Sequence, residues 1–190
     1  MGLFEALFER VFAAFSDVFG AAVKAPIEIA RTVSSVDYAH YFGPFKNYGV
    51  KFGPFLPSEN DVDTCARTIW GEARGEGQLG MTAVMNVIYN RVRTGGFGSG
   101  FAGVCKAPKQ FSAWNSNDPN YQKILSVTAD NDQFADALEI AWRGVAGQLP
   151  DITKGALYYY ATSISSPSWA LSMNTTAVIG QHRFLMPETA

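Results

Sequence analysis

Charge is scarce in this chain. Only 17% of its 190 residues are Asp, Glu, Lys or Arg, and the formal net charge is −2. A protein that tracks a phosphate backbone carries a basic stripe; none is present, and no Lys/Arg cluster interleaves with aromatics, so nucleic acid is not expected as a partner. Cysteine is also sparse. Cys65 and Cys105 are the only two, and without a C-x-x-C pair they build no zinc framework. Cys65 falls on an apolar helical stripe and reads as a small buried hydrophobe; the alternative, a disulfide, requires an oxidising compartment. Long uncharged apolar runs and a basic leader are missing too, so neither a membrane span nor a signal peptide is predicted. What the chain does have is apolar residues, 47% of the total, enough for one buried core of ordinary size plus an appendage.

The appendage is the first third. In "MGLFEALFERVFAAFSDVFGAAVKA" Leu3, Phe4, Leu7, Phe8, Val11, Phe12, Phe15, Val18 and Phe19 follow the three-and-four spacing of one helix face, with Glu5, Glu9, Arg10 and Asp17 opposite. Residues 1–33 are predicted as an amphipathic docking helix. Interfacial membrane helices carry Lys and Arg along the polar face, whereas this face is acidic, which favours a protein partner or self-assembly over lipid. Residues 34–57 follow as a strap in which Phe-Gly-Pro-Phe occurs at 42–45 and again at 52–55. Pro and Gly block regular structure there, and the phenylalanines are expected to pin the N-terminal segment onto the next domain.

That domain, 58–190, opens on "PSENDVDTCARTIWGEARGEG". Ser58 or Asn60 can cap a helix whose apolar stripe runs through Val62, Cys65, Ala66, Ile69, Trp70 and Ala73, and Gly75 and Gly77 stop it. At 100° per residue, Glu72 lies at the border of the stripe and Glu76, if the turn continues, nearer its middle, while Arg74 points away. An apolar surrounding, the negative end of a helix dipole and a second carboxylate one turn on would each help Glu72 hold a proton, as a general acid must. Two solvated acids at a helix end would carry the same letters.

The remaining segments supply a core and a cleft wall. "QLGMTAVMNVIYNRV" is apolar nearly all round and is predicted as the buried central helix. "TGGFGSGFAGVCKAPKQFSAWN" reads as a glycine-rich loop. Its chance G-x-G-x-x-G lacks a preceding strand and a helix opening from it, so no dinucleotide site is expected. Gln110 and Trp114 at its end suit a sugar, which offers an apolar face to a ring and hydroxyls to an amide; Phe111 reads as core. "DNDQFADALEIAWRGVAGQLPD" predicts a further helix capped by Asn131 or Asp132, and its acids lack a calcium ligand ladder. "GALYYYAT" and "AVIGQHRFLM" read as short strands, separated by turn chemistry around Trp169. Tyr158, Tyr159 and His182 can reach the cleft from them, although a lone His beside a Phe in a strand also serves structure. No ligand spacing calls for a metal, and no cofactor is expected.

In order, "ARTIWGEARGE", "GMTAVMNVIYNRV", "QFSAW", "GALYYYA" and "IGQHRF" resemble the cell-wall hydrolase family typified by the SleB spore cortex-lytic enzymes, over roughly 61–184. The resemblance implies a compact α+β domain, mostly helical with a small antiparallel sheet, related to lysozyme-like transglycosylases and acting on the glycan strands of peptidoglycan. It implies that Glu72 is the catalytic glutamate, that Glu76, Arg74 and Asn90 occupy further motif positions, and that Gln110, Tyr158, Tyr159 and His182 lie near the groove. Because Glu76, the only other motif acid, is expected on the same side of the same helix and not across the scissile bond, the expected reaction is that of a lytic transglycosylase, in which Glu72 first donates and then accepts a proton; hydrolysis by water and glycan binding without turnover are the alternatives. The Phe-rich front replaces any recognisable peptidoglycan-binding module. With no export signal predicted, it points to a bacteriophage virion component, or a phage lysis enzyme, delivered to the periplasm and wall.

Overall fold

A computed structural model describes residues 57–188. The expected helix over 1–33 and nearly all of the strap over 34–57 lie outside the described residues. Five α-helices are present in the described part, α1 (Glu59–Ala73), α2 (Gly77–Thr94), α3 (Gly100–Lys106), α4 (Tyr121–Ser126) and α5 (Asp132–Val145). Three strands follow, β1 (Tyr158–Ala161), β2 (Met173–Ile179) and β3 (His182–Pro187).

The helix starts are set by caps. Ser58 Oγ accepts from the Asp61 amide at 3.1 Å to open α1, and Asn131 Oδ1 accepts from the Phe134 amide at 3.0 Å to open α5. Each cap satisfies an N–H that has no partner inside its helix, a contribution of about 1 kcal/mol. The stripe Val62, Cys65, Ala66, Ile69, Trp70 and Ala73 faces Met81, Val84, Met85 and Ile88 of α2 and Phe134, Leu138, Ala141 and Trp142 of α5, all buried in one core. Trp70 meets Phe134 edge to face, centroids 6.2 Å apart. Full burial of side chains of this size contributes about 1.5–3 kcal/mol each, so the α1–α2–α5 layer is what holds Glu72 in place.

The strands form one antiparallel sheet in the order β1-β3-β2. One face packs on α2 through Phe184, which shares a cluster with Ala83, Val87 and Ala156. The other face carries Tyr160 and Leu185 under Ala170 of a short 3-10 turn at Ser168–Ser172. Tyr159 pairs with Phe184 in the register and lies on the helix side of the sheet.

Three local expectations change. The glycine-rich stretch is not a plain loop, because Phe101, Val104 and Cys105 stand at helical spacing, bury completely or nearly so, and draw 100–106 into α3. Asp61 Oδ1 accepts from the Ala102 amide at 3.0 Å and anchors its first turn. A helix therefore does open from the G-x-G-x-x-G, but α2 precedes it, and no strand does. Likewise β2 begins at Met173, inside the segment expected to be turn, since Met173 packs against the Tyr160–Leu185 cluster.

Candidate active site

Glu72 occupies the last turn of α1 and is half-buried. Its Oε1 accepts from the Ala113 backbone N–H at 3.1 Å and its Oε2 from the Tyr159 hydroxyl at 3.0 Å. Both donors come from elsewhere in the fold, one from the short 3-10 turn Ser112–Trp114 and one from β1. Gly71 makes the first contact geometrically possible. A Cβ at Gly71 would lie 2.8 Å from Ala113 Cβ and 2.9 Å from Ile124 Cγ2, so only glycine lets the turn close on the helix here. Burial, and then the charge and hydrogen bond of Glu72, push the Tyr159 hydroxyl well above its ordinary pKa, so Tyr159 remains a donor.

The neighbouring groups are arranged by the same elements. Trp114 Nε1 donates to Thr68 Oγ1 at 2.9 Å, one helical turn before Glu72, and its ring lies 5.0 Å from Lys106 Nζ. Arg74 turns the other way, as its position predicts. Its Nη1 donates to the Trp70 and Gly71 carbonyls at 3.2 Å each, and its Nη2 donates to Asn120 Oδ1 at 2.7 Å, which ties the end of α1 to the start of α4.

Glu76 does not continue the helix, contrary to the expectation of two acids on one face. The α-helix ends at Ala73, residues Arg74–Glu76 form a 3-10 turn, and the phase that would set Glu76 beside Glu72 is lost. Its carboxyl turns instead to the β2–β3 hairpin, where Oε2 accepts from the Gln181 amide at 3.1 Å and Oε1 lies 2.7 Å from His182 Nδ1. That His182 contact is an ion-pair approach only, because Nδ1 is buried with no aligned hydrogen-bond partner. Gly180 is required at the hairpin tip, with φ +55° and a hypothetical Cβ 2.1 Å from Glu76 Oε2. The His182 ring stands perpendicular to that of Tyr159, 5.1 Å between centroids. Glu72, Tyr159, His182 and Glu76 thus form one continuous row.

The other residues singled out from the sequence lie apart from that row. Tyr158 faces the opposite side of the sheet, because successive strand residues alternate; it packs against Phe97 and Trp169 at 5.8 and 5.9 Å. The Gln110 backbone N–H donates to the Ala107 carbonyl, and its half-buried side chain makes no hydrogen bond among the described residues to Glu72, Tyr159, Glu76 or His182. Asn90 is structural. Its Nδ2 donates to Asp151 Oδ2 and the Ala156 carbonyl at 3.1 and 3.2 Å. Among the described residues no group of three or more His, Cys, Asp or Glu side chains is placed to hold a metal ion.

Sequence reasoning overlooked Arg91. It is 5% exposed, and its Nε donates to the Leu157 carbonyl at 2.8 Å. Its guanidinium lies 5.1 Å from the Phe111 ring and 5.8 Å from that of Tyr158, and its Nη1 is buried without a partner. Burial pulls its pKa down, opposed by the nearby tyrosines and Glu72. A buried cation on an apolar helix was a signal available in "YNRV".

Residues 75–185 match the profile of the Cell Wall Hydrolase family. The chain belongs to this family. The profile takes in Glu76, the 110–114 segment and the sheet, and begins three residues after Glu72. The chain is 31% identical over 129 residues to a spore cortex-lytic enzyme of Bacillus cereus, covering 67% of this chain and 44% of that protein. It is 30% identical over 129 residues to the Bacillus subtilis spore cortex-lytic enzyme, covering 38% of it. The chain therefore spans less than half the length of these curated relatives. Among solved structures, the catalytic domain of the Bacillus cereus SleB protein shares 31% identity at a TM-score of 0.54, with 68% of this chain and 91% of that one covered. The catalytic domain of the germination-specific lytic transglycosylase SleB from Bacillus anthracis gives a TM-score of 0.55, with 97% of it covered. The helix-rich domain with its three-stranded sheet is the SleB catalytic fold.

Proposed function

We propose that this cell wall hydrolase domain cleaves the glycan strand of peptidoglycan as a lytic transglycosylase, with Glu72 as its single acid and base. The observation that carries the reading is the asymmetry between the two glutamates. Glu72 is held at both oxygens by neutral donors, the Ala113 N–H and the Tyr159 hydroxyl, which fix its orientation while leaving each oxygen a further lone pair. Glu76 is committed to His182 and the Gln181 amide. A two-carboxylate glycosidase needs a second acid across the scissile bond as nucleophile or water-activating base; Glu76, in its hairpin contacts, is occupied otherwise.

In this mechanism protonated Glu72 gives its proton to the glycosidic oxygen as the bond to the muramic acid C1 breaks. The resulting carboxylate then takes the proton of that sugar's own C6 hydroxyl, whose oxygen bonds to C1 and closes an anhydro ring. Tyr159 and the Ala113 N–H hold the carboxylate in place between the two transfers. Trp114, Gln110 and His182 are proposed as groove residues; Tyr158 acts from behind the strand by packing. The expected N-terminal docking helix, with its acidic polar face, supports a virion-associated or lysis setting with a protein partner, and wall delivery from there.

The test is mass spectrometry of products released from purified peptidoglycan by wild type and by Glu72→Gln. Anhydro-muramic ends from wild type alone are expected. Reducing ends would replace the transglycosylase reading with hydrolysis, substantial turnover by Glu72→Gln would remove Glu72 as the acid, and glycan binding without products would leave a binding module.

A further inference from the structure

Two nucleophilic groups lie in the core and take no part in the proposed chemistry. Cys65 on α1 and Cys105 on α3 are both 0% exposed, and their sulfurs face each other at 3.8 Å across a separation of 40 residues. Both are free thiols in this structure. They are the chain's only cysteines, so no third thiol competes for either. A disulfide needs its sulfurs at about 2.05 Å, a closure of under 2 Å from the observed separation. The flanking elements are the ones that build the site. Glu72 follows Cys65 by two turns on α1, and the turn carrying the Ala113 N–H follows α3.

We propose that Cys65 and Cys105 are a disulfide-forming pair, oxidised when the chain folds in an oxidising medium, and that the bond staples the Glu72 helix to α3. The pairing rests on the geometry; a chain folded in a reducing cytosol would carry both thiols free. The oxidant is a small or protein-borne disulfide. The thiolate of one cysteine attacks it and releases one oxidant thiol, and the second cysteine then attacks the mixed disulfide and releases the other. Two protein thiols lose two electrons and two protons, and the oxidant's disulfide becomes two thiols.

Burial gives the reaction an order. In the folded protein desolvation pushes the Cys65 thiol well above its ordinary pKa, and neither sulfur is accessible to an oxidant, so thiolate attack is suppressed. Oxidation therefore belongs to folding, before α1 and α3 close, and the finished bond is shielded from reductants in the same way. It is a staple and not a reversible switch.

The experiment refolds the full chain from denaturant with oxidised and reduced glutathione, then alkylates under denaturing conditions and measures intact and peptide masses. Expected is a monomer with no alkylated thiol and one cross-linked peptide joining Cys65 to Cys105. The oxidised form should melt about 10 °C above the same protein kept in reductant, the shift that closing a 40-residue loop gives in a domain of this size. Two alkylated thiols after refolding, intermolecular cross-links, glutathione adducts in place of the bond, or equal melting temperatures would each overturn the proposal. The mass readout does not involve glycan cleavage, so its failure is separable from failure of the enzymatic reading. Cys65→Ala is the control and should refold without any cross-linked peptide.

Discussion

Replacing Tyr159 with Phe tests the way Glu72 is held. The substitution removes one hydroxyl, the donor 3.0 Å from Glu72 Oε2, and leaves the ring that lies 5.1 Å from His182 and 5.6 Å from Phe184. A hydrogen bond to a charged group contributes about 1.5–3 kcal/mol. If that contribution is made while Glu72 is a carboxylate, between its two proton transfers, its loss lowers kcat by about 10- to 100-fold. KM should stay within about twofold, because the hydroxyl is spent on Glu72 and not on the sugar. The ring contacts persist, so the melting temperature should move by no more than a few degrees. Initial rates of soluble glycan release across a range of peptidoglycan concentrations separate the two constants. An unchanged kcat would refute the holding role, and a fall in kcat matched by a large fall in melting temperature would reduce Tyr159 to a packing residue. Because the Tyr159 pKa is pushed up, first by burial and then by Glu72, wild type should show no loss of rate from Tyr159 ionisation near its ordinary value of 10.0.

Glu76→Gln should cost one to two orders of magnitude in rate, less than Glu72→Gln, because it loosens the β2–β3 hairpin against His182 without removing the acid; equal losses in the two variants would place both glutamates in the chemistry. Gly71→Ala places a Cβ 2.8 Å from that of Ala113 and should lower both stability, by about 1–3 kcal/mol, and activity, by at least tenfold, as the 112–114 turn moves off Glu72. Full activity in that variant would show that the Ala113 N–H is dispensable. Asp151→Asn probes pH linkage. Although burial alone would raise the Asp151 pKa, hydrogen bonds from Thr153, Asn90 and Gly155 bring it below the usual 3.8, so its stabilisation is complete above that value and is lost as pH falls through the lower, folded one. The variant should melt about 3 °C below wild type at pH 7, with the gap closing below about pH 3.8; a gap independent of pH would refute the linkage.

Helices α1 and α5 were legible because caps, periodicity and terminal glycines agree along one local stretch, and α2 because its run is apolar nearly all round. Glu72 was legible from the periodicity of α1, as a carboxyl at the border of an apolar stripe. Its partners were not. The Ala113 N–H is 41 residues away and the Tyr159 hydroxyl 87, and a backbone donor has no sequence signature at all. Glu76 was misplaced because the helix breaks at Ala73 (φ −140°, ψ 13°) into the 3-10 turn Arg74–Glu76, and periodicity carries no information across such a break. The helix α3 was hidden by its glycines, which lower local propensity, and only burial of Phe101, Val104 and Cys105 in a core formed by distant segments overrides them.

A carboxyl held by two segments so far apart in sequence is positioned only as well as those segments are held to each other, and Arg91 is the side chain that joins them. From α2 it donates to the Leu157 carbonyl, two residues before Tyr159, and its guanidinium lies against Phe111, two residues before Ala113. The same plane borders the Tyr158 ring behind β1. Each of the two donors to Glu72 is thus two residues from a point that Arg91 fixes. A lysine could place a charge there but not a planar fork with a directed N–H and a flat face for the rings. The buried, partly unsatisfied guanidinium costs stability wherever it sits in a core. Its location between the strand and the turn that grip Glu72 gives that cost a structural return.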